Sequence, residues 1–118
     1  MERRATTVLH VSPDPVLARS RGRVLTAIGC HVVHVRSEAM ALFEISLGRC
    51  GILLLCHKLS RAARAALAET FHASCPDPYI VAVIAHESGY YPPQAHAKVV
   101  YAPDHVALAS LFRDRLAA

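Results

Sequence analysis

The segment Gly51-Ile-Leu-Leu-Leu-Cys56 is apolar at every position, and Tyr79-Ile-Val-Ala-Val-Ile-Ala85 repeats that character further along the chain. A strand with one wet face alternates apolar and polar residues. A run with no polar position is buried on both faces, as in the middle of a parallel sheet. Both runs are far too short to cross a bilayer, which takes about 20 apolar residues. Three further strand-like runs flank them: Thr6-Thr-Val-Leu-His-Val11, His31-Val-Val-His-Val35 and Lys98-Val-Val-Tyr101.

Between these runs the pattern turns helical. Asp14 is placed to cap a helix with Pro15 in its first turn, carrying Leu17, Val24, Leu25 and Ile28 on one stripe and ending at Gly29. Ser37 caps a second helix through Met40, Leu42, Phe43 and Ile45 to Gly48, and Ser60 a third from Arg61 to about Ala73. Asp104 caps a terminal helix bearing Val106, Leu108, Leu111, Phe112 and Leu116. Between His86 and Ala97, Gly89 and Pro92-Pro93 allow only a short or irregular fourth helix. Five alternating strand–helix units with no linker or repeat predict a single α/β domain over residues 1–118. The expected architecture is a flavodoxin-like three-layer sandwich, a five-stranded parallel sheet of order 2-1-3-4-5. The two wholly apolar runs then take central places and the runs at 31–35 and 98–101 take edges.

Composition narrows the function classes. The chain has 118 residues, 53% hydrophobic and 19% charged, which excludes disorder and leaves enough surface for a core. The N-terminus does not read as a signal peptide, so a cytoplasmic protein without membrane attachment is expected. Thirteen basic residues against nine acidic ones give a formal charge of +4, which permits an acidic partner without demonstrating one. With 6% aromatic residues and no Trp there is no stacking platform for single-stranded nucleic acid. Cys30, Cys50, Cys56 and Cys75 include no C-x-x-C pair and are expected as reduced, largely buried thiols.

Ligands of such a sheet gather at the C-terminal ends of its strands. Here that rim comprises Val11-Ser12-Pro13-Asp14, Cys56-His57, the end of the 79–85 run, and Tyr101-Ala102-Pro103. Segment by segment, over nearly the whole chain, this layout resembles the response-regulator receiver (CheY-like) domain of phosphorelay signalling. Val8-Leu-His-Val-Ser-Pro-Asp-Pro15 resembles the family's first strand and acidic turn, and Ser37-Glu-Ala-Met-Ala-Leu42 its second-helix start. Gly51-Ile-Leu-Leu-Leu-Cys56 lies where the family has the strand ending in its phosphoacceptor Asp, and Ala102-Pro103 where it has a Lys-Pro pair. Receivers of that family use an acidic pair for Mg²⁺, an Asp to accept phosphate, a Ser or Thr to sense it and a Lys to neutralise charge. Carried over, those roles fall on Ser12 and Pro13, on Cys56, on Ile84 or Ala85, and on Ala102. None of the required groups is present, and Asp14 alone is a poor Mg²⁺ site. The resemblance therefore implies a pseudo-receiver: a non-enzymatic signalling or protein-interaction module with no cofactor and no metal.

Two other classes compete. Cys56 beside His57 suggests a redox sensor or thiol enzyme, since a neighbouring imidazolium lowers a thiol pKa. Successive residues of a strand face opposite ways, however, and a buried small hydrophobe is the plainer reading of Cys56. Asp14 as a substitute acceptor would return the chain to the phosphorelay. His31 and His34, three apart on a strand, do not share a metal, and no glycine-rich phosphate loop exists. Arg19, Arg21 and Arg23, with Arg61 and Arg64, are read as solvated faces, and nucleic-acid binding is not expected. Gly89-Tyr-Tyr-Pro-Pro93 with Tyr101 and His105 points to a docking surface on the 86–112 face, for a partner protein or a second copy, anchored by Tyr90, Tyr91, Tyr101 and His105.

Overall fold

The computed structural model describes residues 3–118. After a single 3-10 turn at Arg3–Thr6 the order is β1 (Thr7–Val11), α1 (Pro15–Ile28), β2 (His31–Val35), α2 (Glu38–Leu47), β3 (Ile52–Leu55), α3 (Arg61–Ser74), β4 (Tyr79–Ile84), β5 (Ala97–Val100) and α4 (Val106–Ala117). All five strands run parallel in the order β2-β1-β3-β4-β5, as the apolar runs require. Every residue of β1 and β3 is buried, whereas the edge strands β2 and β5 bury only Val35 and Val99 and leave their other residues partly or wholly exposed.

Helix starts and stops follow local chemistry. The Asp14 carboxylate accepts from the N–H groups of Val16 and Leu17, Ser37 from that of Met40, and Ser60 from that of Ala63. Gly29 (φ 115°) and Gly48 (φ 69°) end α1 and α2 in the left-handed conformation that a side chain would strain. Gly51 is required for a different reason. It donates to Arg4 O at 2.9 Å, and a Cβ there would lie 2.5 Å from that same oxygen.

Side-chain alternation along the strands builds one apolar layer on each face of the sheet. Leu9, Val11, Leu53 and Leu55 pack against Ala41 and Ile45 of α2 and Leu67 and Phe71 of α3. Val8, Ile52, Leu54, Val81 and Val83 pack against Leu25 of α1 and Leu108 and Phe112 of α4.

Three expectations are corrected. The β4–β5 connection contains no helix at all, so the described residues form four α-helices rather than five strand–helix units. Pro92 and Pro93 remove two donors and bias Tyr91 away from helical geometry. The segment instead makes two tight turns, Gly89 N to His86 O and Ala95 N to Pro92 O, and buries Pro92. Second, Arg21 does not belong to a solvated face: it lies on the inner stripe of α1 with Leu17 and Leu25 and is 1% exposed. On α2 only Ala41 and Ile45 are buried, and Met40, Leu42 and Phe43 face outward. Third, the terminal helix begins one residue later than expected. Asp104 still accepts from Val106 N, but the capping residue is His105, the one positive-φ non-glycine among the described residues (φ 54°).

Candidate functional site

The rim at the C-terminal ends of the strands assembles from loops following β1, β3, β4 and β5. Ser12 is fully buried; its hydroxyl accepts from Asp14 N at 3.2 Å, shaping the turn into α1. Pro13 and Ala85 are exposed, Ile84 is buried, and Ala102 and Pro103 lie at the surface after β5. Cys56 extends β3 by one backbone bond to Val11 O and is 0% exposed, its sulfur accepting from Lys58 N at 3.5 Å. Lys58, one residue beyond the expected set, reaches across the rim and donates to Asp14 Oδ2 at 2.6 Å. That bond, with the α1 N–H groups, holds the Asp14 carboxyl below its ordinary range, and the same contact raises the Lys58 ammonium. The carboxylate nearest the site is thus already occupied by a cation and a helix cap.

Beneath the rim lies a polar cluster centred on Arg21. Its guanidinium is within 3.2 Å of His10 Nε2 and 3.3 Å of His57 Nδ1. A guanidinium only donates, so both ring nitrogens present lone pairs and both imidazoles are neutral. The Tyr101 ring lies 5.9 Å from the guanidinium carbon and stacks on His57 at 4.7 Å. His105 completes the ring of partners, sharing a 3.0 Å bond with Ser20 and lying 6.1 Å from Tyr101. No carboxylate pairs with Arg21 among the described residues. Buried charges are ordinarily paired, so this one is held by imidazole lone pairs and an aromatic face alone.

The unpaired cation controls its neighbours. Burial first, and Arg21 second, lower His10 to about 3. The same two causes, in the same order, lower His57 and His105. His10 Nδ1 is buried with no hydrogen-bond partner, beside the His34 ring at 5.4 Å. His34 is lowered as well, chiefly by burial. A cavity of about 10 Å³, room for a single water, separates Arg21 from Tyr101, Ala102 and His105. No phosphate or nucleotide fits it.

Cys56 and His57 do approach, Sγ to Nδ1 at 4.0 Å, although they succeed one another in the chain. The same Nδ1 already accepts from Arg21, so it has no free lone pair to take a proton from the thiol. All four cysteines are free thiols, three of them buried and Cys75 half-buried. Among the described residues no three His, Cys, Asp or Glu side chains converge as a metal site requires. No helix among them is long and apolar enough to cross a membrane.

The four expected docking anchors have different surroundings. Tyr91 is 41% exposed, with Lys98 Nζ 4.8 Å from its ring. Tyr90 is half-buried under Arg61 at 4.1 Å and Arg64 at 5.3 Å, and Arg64 also donates to Tyr90 O at 3.0 Å. The α3 arginines therefore pin the β4–β5 loop. Tyr101 is half-buried and His105 buried, both within the Arg21 cluster. Arg21, His10 and Lys58 are the site residues that the rim alone did not indicate. The signal for Arg21 was present: it sits four residues from both Leu17 and Leu25, in line with the core stripe.

No sequence-family model matches the chain, and no curated protein sequence is similar to it. Solved structures are. Response regulator TrrA of Thermotoga maritima, crystallised with Mg²⁺ and beryllofluoride, superposes with a TM-score of 0.80 at 16% identity over 93% of this chain and 98% of that one. A CheY-like receiver domain of Methylobacillus flagellatus gives the same values. A pilus assembly-related protein of Burkholderia pseudomallei gives a TM-score of 0.74 at 16% identity over 99% and 92%. At such identities the likeness concerns architecture, and with the strand order and layers above it establishes that this chain has the receiver fold of two-component response regulators.

Proposed function

We propose that this chain is a signalling module that works by binding protein and not by accepting phosphate. The observation that supports the reading is at the end of β3, where Cys56, at the position that the receiver resemblance gives to an acceptor carboxylate, is a fully buried thiol. A thiol forms no acyl phosphate. The remaining carboxylate, Asp14, is committed to Lys58 and the α1 cap. Ala102 offers no cation, and Ile84 and Ala85 no hydroxyl, for a phosphate to engage. A thiol-based reading of Cys56 is disfavoured by its burial and by the occupied His57 nitrogen.

The partner is a protein, docking on the 86–112 face. TrrA has been crystallised with histidine kinase ThkA, so a chain of similar fold does form such a complex. Between β5 and α4 this face has a groove of about 590 Å³, lined by Val99, Val100, Ala107 and Leu111 with Glu87, Lys98 and Asp114 at its edges. Tyr91 stands exposed beside Lys98 at its margin, while Tyr90 and the Tyr101–His105 pair support the loop and turn that frame the face.

The test is an amide NMR titration with Mg²⁺ and beryllofluoride, the mimic of an aspartyl phosphate. Resonances of Ser12, Asp14, Cys56 and Ala102 are expected to stay in place. Localised, saturable shifts there would mean that Asp14 serves as an acceptor and would overturn the proposal.

A further inference from the structure

Four of the large hydrophobic residues that are exposed in this chain belong to one ten-residue helix. On α2, Met40 is 51%, Leu42 37%, Phe43 63% and Leu47 47% exposed. Met40, Phe43 and Leu47 are spaced by three and four residues and form one stripe on the side of the helix away from Ala41 and Ile45. Such a stripe, of the order of 300–400 Å², is as large as the largest apolar patch of an ordinary monomer and marks an interaction site.

We infer that this stripe is the contact between two copies of the chain, with the α2 helices packed antiparallel about a two-fold axis passing between Phe43 and Glu44. The pattern is self-complementary about that point. Met40 falls beside Leu47 of the second copy, and the two Phe43 rings meet at the centre, where energetic anchors of interfaces concentrate. The charges select the direction. Glu38 opens the helix and Arg49 follows its end, both exposed. An antiparallel pair sets the acidic start of one helix alongside the basic end of the other, and opposes the two helix dipoles. A parallel pair would bring Glu38 to Glu38 and Arg49 to Arg49. Each Arg49 is steadied for this role by two 2.7 Å bonds to the Glu44 carboxylate of its own helix. The area is about half of the ~800 Å² that a standard interface takes from each partner, so the dimer is a dissociating one, populated at high concentration.

Sedimentation equilibrium of the full chain over a concentration series tests this, with the weight-average mass expected to rise from 12.8 kDa toward twice that value. Phe43→Glu is expected to weaken association at least ~10-fold while leaving the far-UV circular dichroism and thermal midpoint unchanged, since the side chain touches no core. Glu38→Arg is expected to weaken it several-fold, because like charges then meet across an antiparallel pair; in a parallel pair the sign at that contact would not change. A chain that stays monomeric to ~1 mM, or a dimer indifferent to Phe43→Glu, overturns the inference. A dimer sensitive to Phe43→Glu but not to Glu38→Arg overturns the antiparallel arrangement.

Discussion

Replacing His10 by Gln removes a titrating group from the Arg21 cluster while keeping an acceptor there, because the amide oxygen of Gln reaches the place of Nε2. In the folded chain His10 is lowered from 6.5 to about 3, first by burial and then by Arg21. The unfolded chain therefore binds a proton that the folded chain refuses. The associated stability is complete above pH 6.5 and is lost as pH falls from 6.5 toward about 3. Each pH unit in that window is worth about 1.4 kcal/mol, so at about pH 4.5 the wild type has lost roughly 3 kcal/mol through this one residue. His57, His105 and His34 are shifted the same way but are common to both proteins. Asp14, a carboxyl lowered from 3.8, contributes stability that is lost only as pH falls below 3.8, beneath the lower pH of the test. Urea unfolding followed by circular dichroism at about pH 7.5 and about pH 4.5 reads the difference directly. At the higher pH, His10→Gln is expected to cost about 1–2 kcal/mol, for a flexible side chain in a packed site. At the lower pH that gap is expected to close or invert, the variant gaining roughly 3 kcal/mol relative to wild type. Parallel pH dependences in the two proteins would refute the claim that His10 is held neutral in the folded chain.

Gly51→Ala is expected to destabilise the fold by about 1–3 kcal/mol, because the new Cβ meets the Arg4 backbone at the base of the sheet; a denaturation midpoint equal to wild type would contradict the close approach. With a thiol reagent under native conditions, Cys75 is expected to react first and Cys56 only on unfolding, since Cys56 is fully buried and Cys75 half-buried. Rapid labelling mapped by mass spectrometry to Cys56 would revive the thiol-based reading. Cys50, raised to about 11 by burial, is expected to remain unlabelled with it. Asp14→Ala is expected to lower the melting temperature more than Lys58→Ala, because only the first removes the acceptor for two α1 N–H groups; equal effects would show that the cap contributes nothing.

What could be read from the sequence was local or wholly apolar. The caps Asp14, Ser37 and Ser60 and the terminators Gly29 and Gly48 act on their own helices, and the runs at 51–56 and 79–85 could only be central strands. The burial of Arg21 was harder to read, because its acceptors come from β1 and from beyond β3, 11 and 36 residues away, and a lone arginine without them belongs in water. The same reasoning reversed explains α2. Met40 and Phe43 are inward by residue type and outward by phase, and within one chain an apolar residue has no reason to face solvent. Between β4 and β5 the two prolines were visible, but the clamp of Arg61 and Arg64 on Tyr90, which lets the loop do without helical hydrogen bonds, joins residues from different layers.

In this receiver fold, positive charge lies beneath the rim as well as across it. Arg21 reaches from α1 to His10 on β1 and His57 after β3, and through Tyr101 and His105 its cluster extends to the end of β5 and the start of α4. Any rearrangement that drew the turn after β3 outward would take His57 from the guanidinium and leave this buried cation with His10 as its one hydrogen-bond acceptor, a cost of about 1–3 kcal/mol. The cluster therefore ties together the loops that a ligand at the rim would have to move. With the Asp14 carboxylate held by Lys58 and the α1 cap and the loops fastened from below, the rim is fixed in place, and the surfaces left open to a partner are the β5–α4 groove and the α2 stripe.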